Sequence, residues 1–156
     1  MVRDVRSVVY SYLRQVLQRS RNRTELIKQK YRAYMLSWNQ YNEAVKQQCD
    51  TVGPASCLLV KYEELVLDTA STMQRVANLL NLTWTDNFLR HEQFKHHKVV
   101  VSELEWSSGQ IKRAVHADSV KNWVGHVEYE EKDIVQLSNM MFTFGYANVT
   151  VNKIIR

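Results

Sequence analysis

The chain has 156 residues, of which 45% are hydrophobic and 24% charged, a composition that excludes a disordered protein and suffices for one ordinary domain core. The formal net charge of +5 indicates either an ordinary basic surface or a partner with phosphates, sulfates or acidic side chains, and no nucleic-acid-binding motif accompanies it. No apolar run approaches the ~20 residues of a membrane span, and the residues after Met1 do not form a signal peptide.

The first third of the chain predicts helices. Residues 4–19 predict a first helix, residues 20–29 are polar and predict a loop or a frayed helix, and residues 30–48 predict a long helix. The residues expected to face the core of these two helices are Val8, Val9, Tyr12, Leu13 and Val16 in the first, and Tyr31, Tyr34, Met35, Trp38, Tyr41 and Val45 in the second.

A turn and a short apolar run follow the long helix. Gly53-Pro54 breaks the chain, and the run Cys57–Tyr62 after it predicts a buried parallel strand that ends at Tyr62. A strand between helices indicates the α/β class. Because one strand cannot make a sheet, we expect other strands to complete it.

The rest of the chain predicts mostly helices. Their starts and ends are marked by capping residues and by a glycine at 145. The predicted elements are a helix capped by Asp68 or Thr69, a short helix over 84–94, an extended loop over 95–116, a short helix from Asp118 or Ser119 to Trp123, and a last helix over 129–144.

Cys49 and Cys57 are the two cysteines, and a turn at Gly53-Pro54 can bring their sulfur atoms within bonding reach. Two free buried thiols are the alternative in a cytosolic protein. Three Asn-x-Ser/Thr sequons, at Asn22, Asn81 and Asn148, favour the secretory lumen, where a disulfide forms and glycans are added.

Three ordered stretches carry a resemblance to a known family. Met1 through Ser11 is similar to "MVRDGRxxVxS", Cys57 through Leu67 to "CxxVxYExLVL", and Ser107 through Gly125 to "STDQVIKPVN…LSKWVG". Trp38-Asn39 matches a "KWN", and the cysteine pair is also matched. The chain therefore resembles the tyrosylprotein sulfotransferases over about residues 1–146.

The resemblance implies a P-loop-like α/β fold with a parallel sheet. Residues 1–156 are then expected to be the C-terminal, mostly helical portion of a single sulfotransferase domain, missing its N-terminal strands and phosphate loop. The family's phosphate loop, base glutamate and lysine lie before its "VRD", and no glycine pattern here matches that loop. We therefore expect this chain to be inactive by itself, and the parent to be anchored in the Golgi membrane through a segment absent here.

The implied reaction moves the sulfuryl group of 3′-phosphoadenylyl sulfate to tyrosine hydroxyls of secreted or membrane proteins, without a metal. The expected partners are acidic tyrosine-containing segments of secretory proteins; no nucleic acid is expected, and a homodimer is left open. The resemblance places Arg3 and Ser11 at the 3′-phosphate and Ser107, the catalytic candidate, beside the sulfuryl group. The other residues assigned to nucleotide binding are Tyr62, Gln110, Arg113 and Lys121.

The sequence also departs from the family pattern. Val5 stands where the family has a glycine. Gln15 stands where the family has an arginine, and this chain has Arg14 one position earlier. Asn122 stands where the family has a lysine, and this chain has Lys121 one position earlier. A one-residue slip rotates a helical side chain by about 100°, so we expect an altered cofactor affinity.

Some features have other interpretations. The alternative function is a small basic helical module that binds acidic partners. His91, His96 and His97 are interpreted as solvated loop residues. The stretch Glu128–Glu131 is interpreted as a helix N-terminus, although its Tyr129 resembles a sulfation target.

Overall fold

The computed structural model describes residues 1–17, 23–94, 109, 113–125 and 136–147. Two compact units are present: the first combines Met1–Leu59 with the described residues from Asp118 onward, and the second is Val60–Ala117. The first unit holds α1 (Val5–Leu17), α2 (Arg23–Val52), α5 (Asp118–Lys121) and α6 (Asn139–Thr143). The second holds α3 (Tyr62–Leu67), α4 (Thr69–Leu79) and two 3₁₀ helices, Asp86–Leu89 and His91–Phe94.

The core of the first unit forms where α1, α2 and α6 meet. On α1 the buried apolar side chains recur at every fourth residue, as one face of a helix requires. The first helix is therefore confirmed, but its inward face is shifted: Tyr12 is 43% exposed, and Val5 is fully buried instead. The main buried residues are Val5, Val9 and Leu13 of α1, Tyr31, Met35 and Trp38 of α2, and Met140, Met141 and Phe144 at α6.

Helix α2 is longer than the sequence predicts. It begins at Arg23, so of the two alternatives for residues 20–29, a loop or a frayed helix, the helix is formed from that residue onward. Tyr41, predicted to face the core, is 69% exposed, while Asn42 is buried. Asn42 lies four residues after Trp38 and its Nδ2 donates to the Trp38 carbonyl oxygen at 2.7 Å, which compensates the burial of a polar amide.

Asn39 of α2 holds the start of α6. Its Oδ1 accepts a hydrogen bond from the backbone N–H of Met140 at 2.9 Å. Ser138 precedes α6 but makes no capping hydrogen bond with its side chain. A side chain from another helix therefore satisfies one of the N–H groups that the first turn of α6 leaves without an intrahelical partner. The matched Trp38-Asn39 pair thus has a structural role in this fold.

Gly145 ends α6, as predicted. Its φ is +73°, a left-handed conformation that glycine adopts without steric cost. The Gly145 N–H donates to Phe142 O at 2.9 Å and the Tyr146 N–H donates to Met141 O at 2.7 Å, the paired bonds of a Schellman motif. The earlier part of the predicted last helix, 129–135, lies outside the described residues.

The predicted disulfide between Cys49 and Cys57 is confirmed. Cys49 lies in the last turn of α2, and its carbonyl oxygen accepts from the Gly53 N–H at 3.0 Å. Gly53 has a φ of +77°, so the chain reverses there and the two cysteine Cα atoms come within 5.4 Å. The bond thus closes the turn at the C-terminal end of α2.

The strand predicted over Cys57–Tyr62 is not formed. Residues 57–60 have no regular structure and are half-buried, and Tyr62 is the first residue of α3. No β-strand element is present among the described residues. Lys61 makes a single β-bridge, and the pairing that a strand needs is not continued over residues 57–60. Glu63 and Glu64 stabilise a helix start at Tyr62 through its dipole.

The second unit follows the predicted capping chemistry at α4. Asp68 is the N-cap, and its Oδ1 accepts from the Ser71 N–H at 3.2 Å. An ion pair of 3.3 Å between Arg75 and Glu64 links α4 to α3. The short helix predicted over 84–94 is present as the two 3₁₀ helices, and almost all of the predicted 95–116 loop lies outside the described residues.

Candidate functional site

Asp4 starts α1. Its carbonyl oxygen accepts from the Val8 N–H at 3.0 Å, and its Oδ1 accepts from the Arg6 N–H at 2.8 Å. This is the geometry of an N-cap residue, which satisfies a backbone donor in the first turn. The motif Val2-Arg3-Asp4 therefore has a local structural reason for its aspartate, independent of any ligand.

Arg6 is committed to the protein interior. Its guanidinium is 4.4 Å from the ring of Trp123, its Nε donates to Asp4 Oδ1 at 2.9 Å, and its Nη2 pairs with Asp4 Oδ2. The same Nη2 lies 3.3 Å from the Tyr146 carbonyl oxygen. Arg6 is only 4% exposed, so its guanidinium does not face a ligand.

Arg3 is placed differently although it lies only three residues away. It is half-buried, and its Nη2 donates to the Ser119 carbonyl oxygen at 3.0 Å. The Ser7 hydroxyl donates to the same oxygen at 3.1 Å. Ser11 follows Ser7 by one helical turn, so the two serines lie on one face of α1; Ser7 is buried and Ser11 is half-buried.

The other predicted site residues are distributed as follows. Lys121 is exposed on α5, the short helix whose Ser119 carbonyl bonds Arg3. Tyr62, half-buried, and Arg113, exposed, belong to the second unit. Ser107 and Gln110 lie outside the described residues. The structure therefore brings together Arg3, Ser7 and the helix that carries Lys121.

The donor set near α1 suits a phosphate group. Arginine presents a planar fork of N–H donors that never deprotonates, and a serine hydroxyl adds a neutral donor. Arg3 supplies the first kind of group and Ser11 the second. Among the described residues no group of three or more His, Cys, Asp and Glu side chains has a metal-binding arrangement. No helix in the described ranges is long and apolar enough to cross a membrane.

Comparison with known proteins identifies the family. The family model described as the sulfotransferase family matches residues 1–86, which is more than half of the chain. The chain belongs to the sulfotransferase family.

The relatives of this sulfotransferase chain are protein-tyrosine sulfotransferases. It is 32% identical to the "Protein-tyrosine sulfotransferase" of Drosophila melanogaster over 94% of this chain and 29% of the relative. It is 33% identical to "Protein-tyrosine sulfotransferase A" of Caenorhabditis elegans, over 94% of this chain and 38% of that protein. It is 30% identical to "Protein-tyrosine sulfotransferase 1" of Danio rerio, over 94% of this chain and 41% of that protein. The chain thus spans roughly a third of the length of these curated relatives.

The departures from the sulfotransferase pattern have different structural consequences. Val5, which stands where the pattern has glycine, is fully buried in the core of the first unit. Its side chain therefore packs in the core of the first unit. Arg14 and Lys121 are both exposed, and the side chain of Gln15 is outside the described residues.

Sequence reasoning missed Ser7 and Ser119 in this sulfotransferase chain. Ser7 had a signal, because it lies four residues before Ser11 and therefore on the same helical face. Ser119 had none, since it takes part through its backbone carbonyl oxygen, which every residue possesses.

Proposed function

We propose that the protein containing this chain transfers the sulfuryl group of 3′-phosphoadenylyl sulfate to tyrosine hydroxyls, and that this chain supplies the side of the site that binds the nucleotide. The observation that carries the proposal is the placement of Arg3. Arg3 lies just before α1, in the stretch that resembles the family's "MVRDGRxxVxS". It is half-buried, and its guanidinium donates a hydrogen bond to the Ser119 carbonyl oxygen of α5. The similarity to proteins named protein-tyrosine sulfotransferases supports the same reaction.

Each proposed site residue has a chemical task. Arg3 gives charge-assisted hydrogen bonds to the 3′-phosphate, and Ser11 adds a hydroxyl one turn beyond Ser7. Ser107 donates to the charge that develops on the oxygens of the transferring group. The remaining nucleotide contacts are assigned to Tyr62, Gln110, Arg113 and Lys121.

The acceptor tyrosine needs a base. Its hydroxyl has a pKa near ~10, so at neutral pH a base must take the proton during attack. Residues 1–156 contain no segment that matches the family's phosphate loop, and the resemblance places the family's glutamate and lysine before its "VRD" as well. We therefore propose that residues 1–156 by themselves do not catalyse transfer of the sulfuryl group to tyrosine.

The proposed setting is the Golgi lumen, with acidic tyrosine-containing segments of secretory proteins as acceptors. The disulfide between Cys49 and Cys57 supports an oxidising compartment. The sequon at Asn81 supports it as well: Asn81 is exposed in the turn after α4 with a φ of +52°, and a glycan there meets no buried surface. Membrane anchoring and a homodimer are parts of the same proposal.

The deciding experiment measures nucleotide binding by the full-length protein. Arg3→Ala should weaken the binding of adenosine 3′,5′-bisphosphate by about 1.5–3 kcal/mol in a calorimetric titration, because hydrogen bonds to a charged phosphate are lost. Arg32→Ala is the matched control, since Arg32 is an exposed arginine on α2. Transfer of radiolabelled sulfate to an acidic tyrosine peptide is the second measurement, and residues 1–156 by themselves should give no product.

Two results would contradict the proposal. An unchanged dissociation constant for Arg3→Ala would remove Arg3 from the site. Binding of acidic peptides without any binding of the bisphosphate would favour the basic interaction module over the enzyme.

A further inference from the structure

One backbone oxygen connects the start of α1 to α5. The carbonyl oxygen of Ser119 accepts from Arg3 Nη2 at 3.0 Å and from Ser7 Oγ at 3.1 Å. These partners are separated from Ser119 by 116 and 112 residues in sequence, so the contact exists only in the folded chain. A carbonyl oxygen has two lone pairs, and both donors are accommodated by one acceptor.

The two donors have different exposure. Ser7 is 1% exposed, and a hydroxyl buried to that degree requires a hydrogen-bond partner inside the protein. Arg3 is only half-buried. The bond from Ser7 therefore fixes the position of the carbonyl relative to α1, and the bond from Arg3 attaches a longer and more flexible side chain to that fixed oxygen.

A second contact holds the residues that directly follow α5. Trp123, four residues after Ser119, donates from Nε1 to Val120 O at 3.0 Å and packs its ring against the Arg6 guanidinium at 4.4 Å. Arg6 and Ser7 are adjacent in the first turns of α1. The short α5 segment is thus held at two points by α1, and the Ser119 carbonyl has little freedom to follow Arg3 if Arg3 moves.

We propose that Ser7 is a positioning residue for Arg3, which orients the guanidinium toward a phosphate before a nucleotide binds. The inference rests on the proposed function, because it takes the 3′-phosphate as the group that Arg3 meets. Arginine has many rotamers, and restraining them in the free protein lowers the ordering cost of binding. Removal of the Ser7 hydroxyl removes the bond that fixes the Ser119 carbonyl oxygen relative to α1, and it leaves the charge of Arg3 unchanged.

Ser7 should therefore affect recognition of one phosphate and not the whole nucleotide. Adenosine 3′,5′-bisphosphate carries the group that Arg3 is proposed to bind, whereas adenosine 5′-monophosphate lacks it. A loss of general stability would weaken both ligands equally. The ratio of the two dissociation constants separates positioning from a merely structural role.

The experiment titrates the full-length protein with both nucleotides. Ser7→Ala should raise the dissociation constant of the bisphosphate about three- to tenfold, the usual effect of one neutral hydrogen bond. It should leave the dissociation constant of the monophosphate unchanged. Ser7→Cys, which keeps a weak donor of similar size, should give an intermediate loss. Ser37→Ala, at an exposed serine on α2, is the matched control and should change neither ligand.

A double-variant cycle gives the second readout. In the Arg3→Ala background, Ser7→Ala should have no further effect, because the side chain it positions is gone. Equal weakening of both nucleotides, or additive losses in the cycle, would overturn the inference while leaving the proposed function intact. A wild-type protein that does not prefer the bisphosphate to the monophosphate would instead overturn the proposed role of Arg3, and with it the positioning by Ser7.

Discussion

The buried ion pair between Arg6 and Asp4 gives a sharp test of how the first unit is stabilised. Both side chains are 5% exposed, so replacing Arg6 with methionine leaves the Asp4 carboxylate charged and desolvated. Breaking such a pair from one side typically costs 3–5 kcal/mol, and we expect Arg6→Met to fall in about this range. The variant also loses the Trp123 contact at 4.4 Å and the bond to Tyr146 O at 3.3 Å.

Urea unfolding followed by tryptophan fluorescence measures the effect. Trp38 and Trp123 are both buried in the first unit and report its unfolding. With a denaturant slope of about 2 kcal/mol/M, the midpoint should fall by roughly 2 M. Arg14→Met is the control: Arg14 is exposed on α1, and its loss should change the free energy of unfolding by about 0.5 kcal/mol or less.

A double variant tests the physical reason. Asp4→Asn combined with Arg6→Met removes the buried charge. The asparagine still has a side-chain oxygen that can accept a hydrogen bond from the backbone N–H of residue 6 and so cap α1. The double variant should recover more than half of the stability lost by Arg6→Met. If it unfolds at the same urea concentration as the single variant, or lower, then an uncompensated carboxylate is not the cause and the reasoning is refuted.

Two further predictions concern the disulfide and a tyrosine pair. Replacing Cys49 and Cys57 with serine should lower the free energy of unfolding by about 2.5 kcal/mol, because the disulfide closes a loop with a sequence separation of 8. Reductant should then have no effect on the unfolding of the variant. Complete alkylation of both cysteines in unreduced wild-type protein would contradict this prediction. Burial, a hydrogen bond with Tyr12 and the charge of Tyr12 raise the pKa of Tyr34 to about 12, so its contribution to stability is present below pH ~10 and is lost as pH rises through 12. In an alkaline titration followed by tyrosinate absorbance, Tyr12→Phe should lower the pKa of Tyr34 without returning it to the ordinary value; an unchanged titration would show that Tyr12 has no part in it.

Local chemistry explains which parts of the fold were predictable. Helices α1, α2 and α4 follow from apolar spacing. The start of α4 follows from Asp68, and the ends of α2 and α6 follow from Gly53 and Gly145, whose side chains or conformational freedom act within a few residues. The disulfide was predictable for the same reason, since the reversing turn lies between its two cysteines. Each of these inferences needs only neighbouring residues.

The rest depended on contacts between distant segments. The run Cys57–Tyr62 is apolar enough for a buried strand, yet a strand forms only where another strand pairs with it. Arg3 and Arg6 belong to the same short motif and have the same chemistry. Only the fold distinguishes them, by placing Trp123 and Tyr146 around Arg6 and the Ser119 carbonyl beside Arg3.

The first unit joins the earliest and latest described residues of the chain, which has a consequence for its synthesis. Helices α1 and α2 can associate as soon as residues 1–59 are made, but their shared core then lacks Met140, Met141 and Phe144, which are made later. Folding with such long sequence separations is slow and leaves apolar surface exposed in the meantime. We therefore expect a nascent chain of this protein to expose part of this apolar surface until Phe144 has been added.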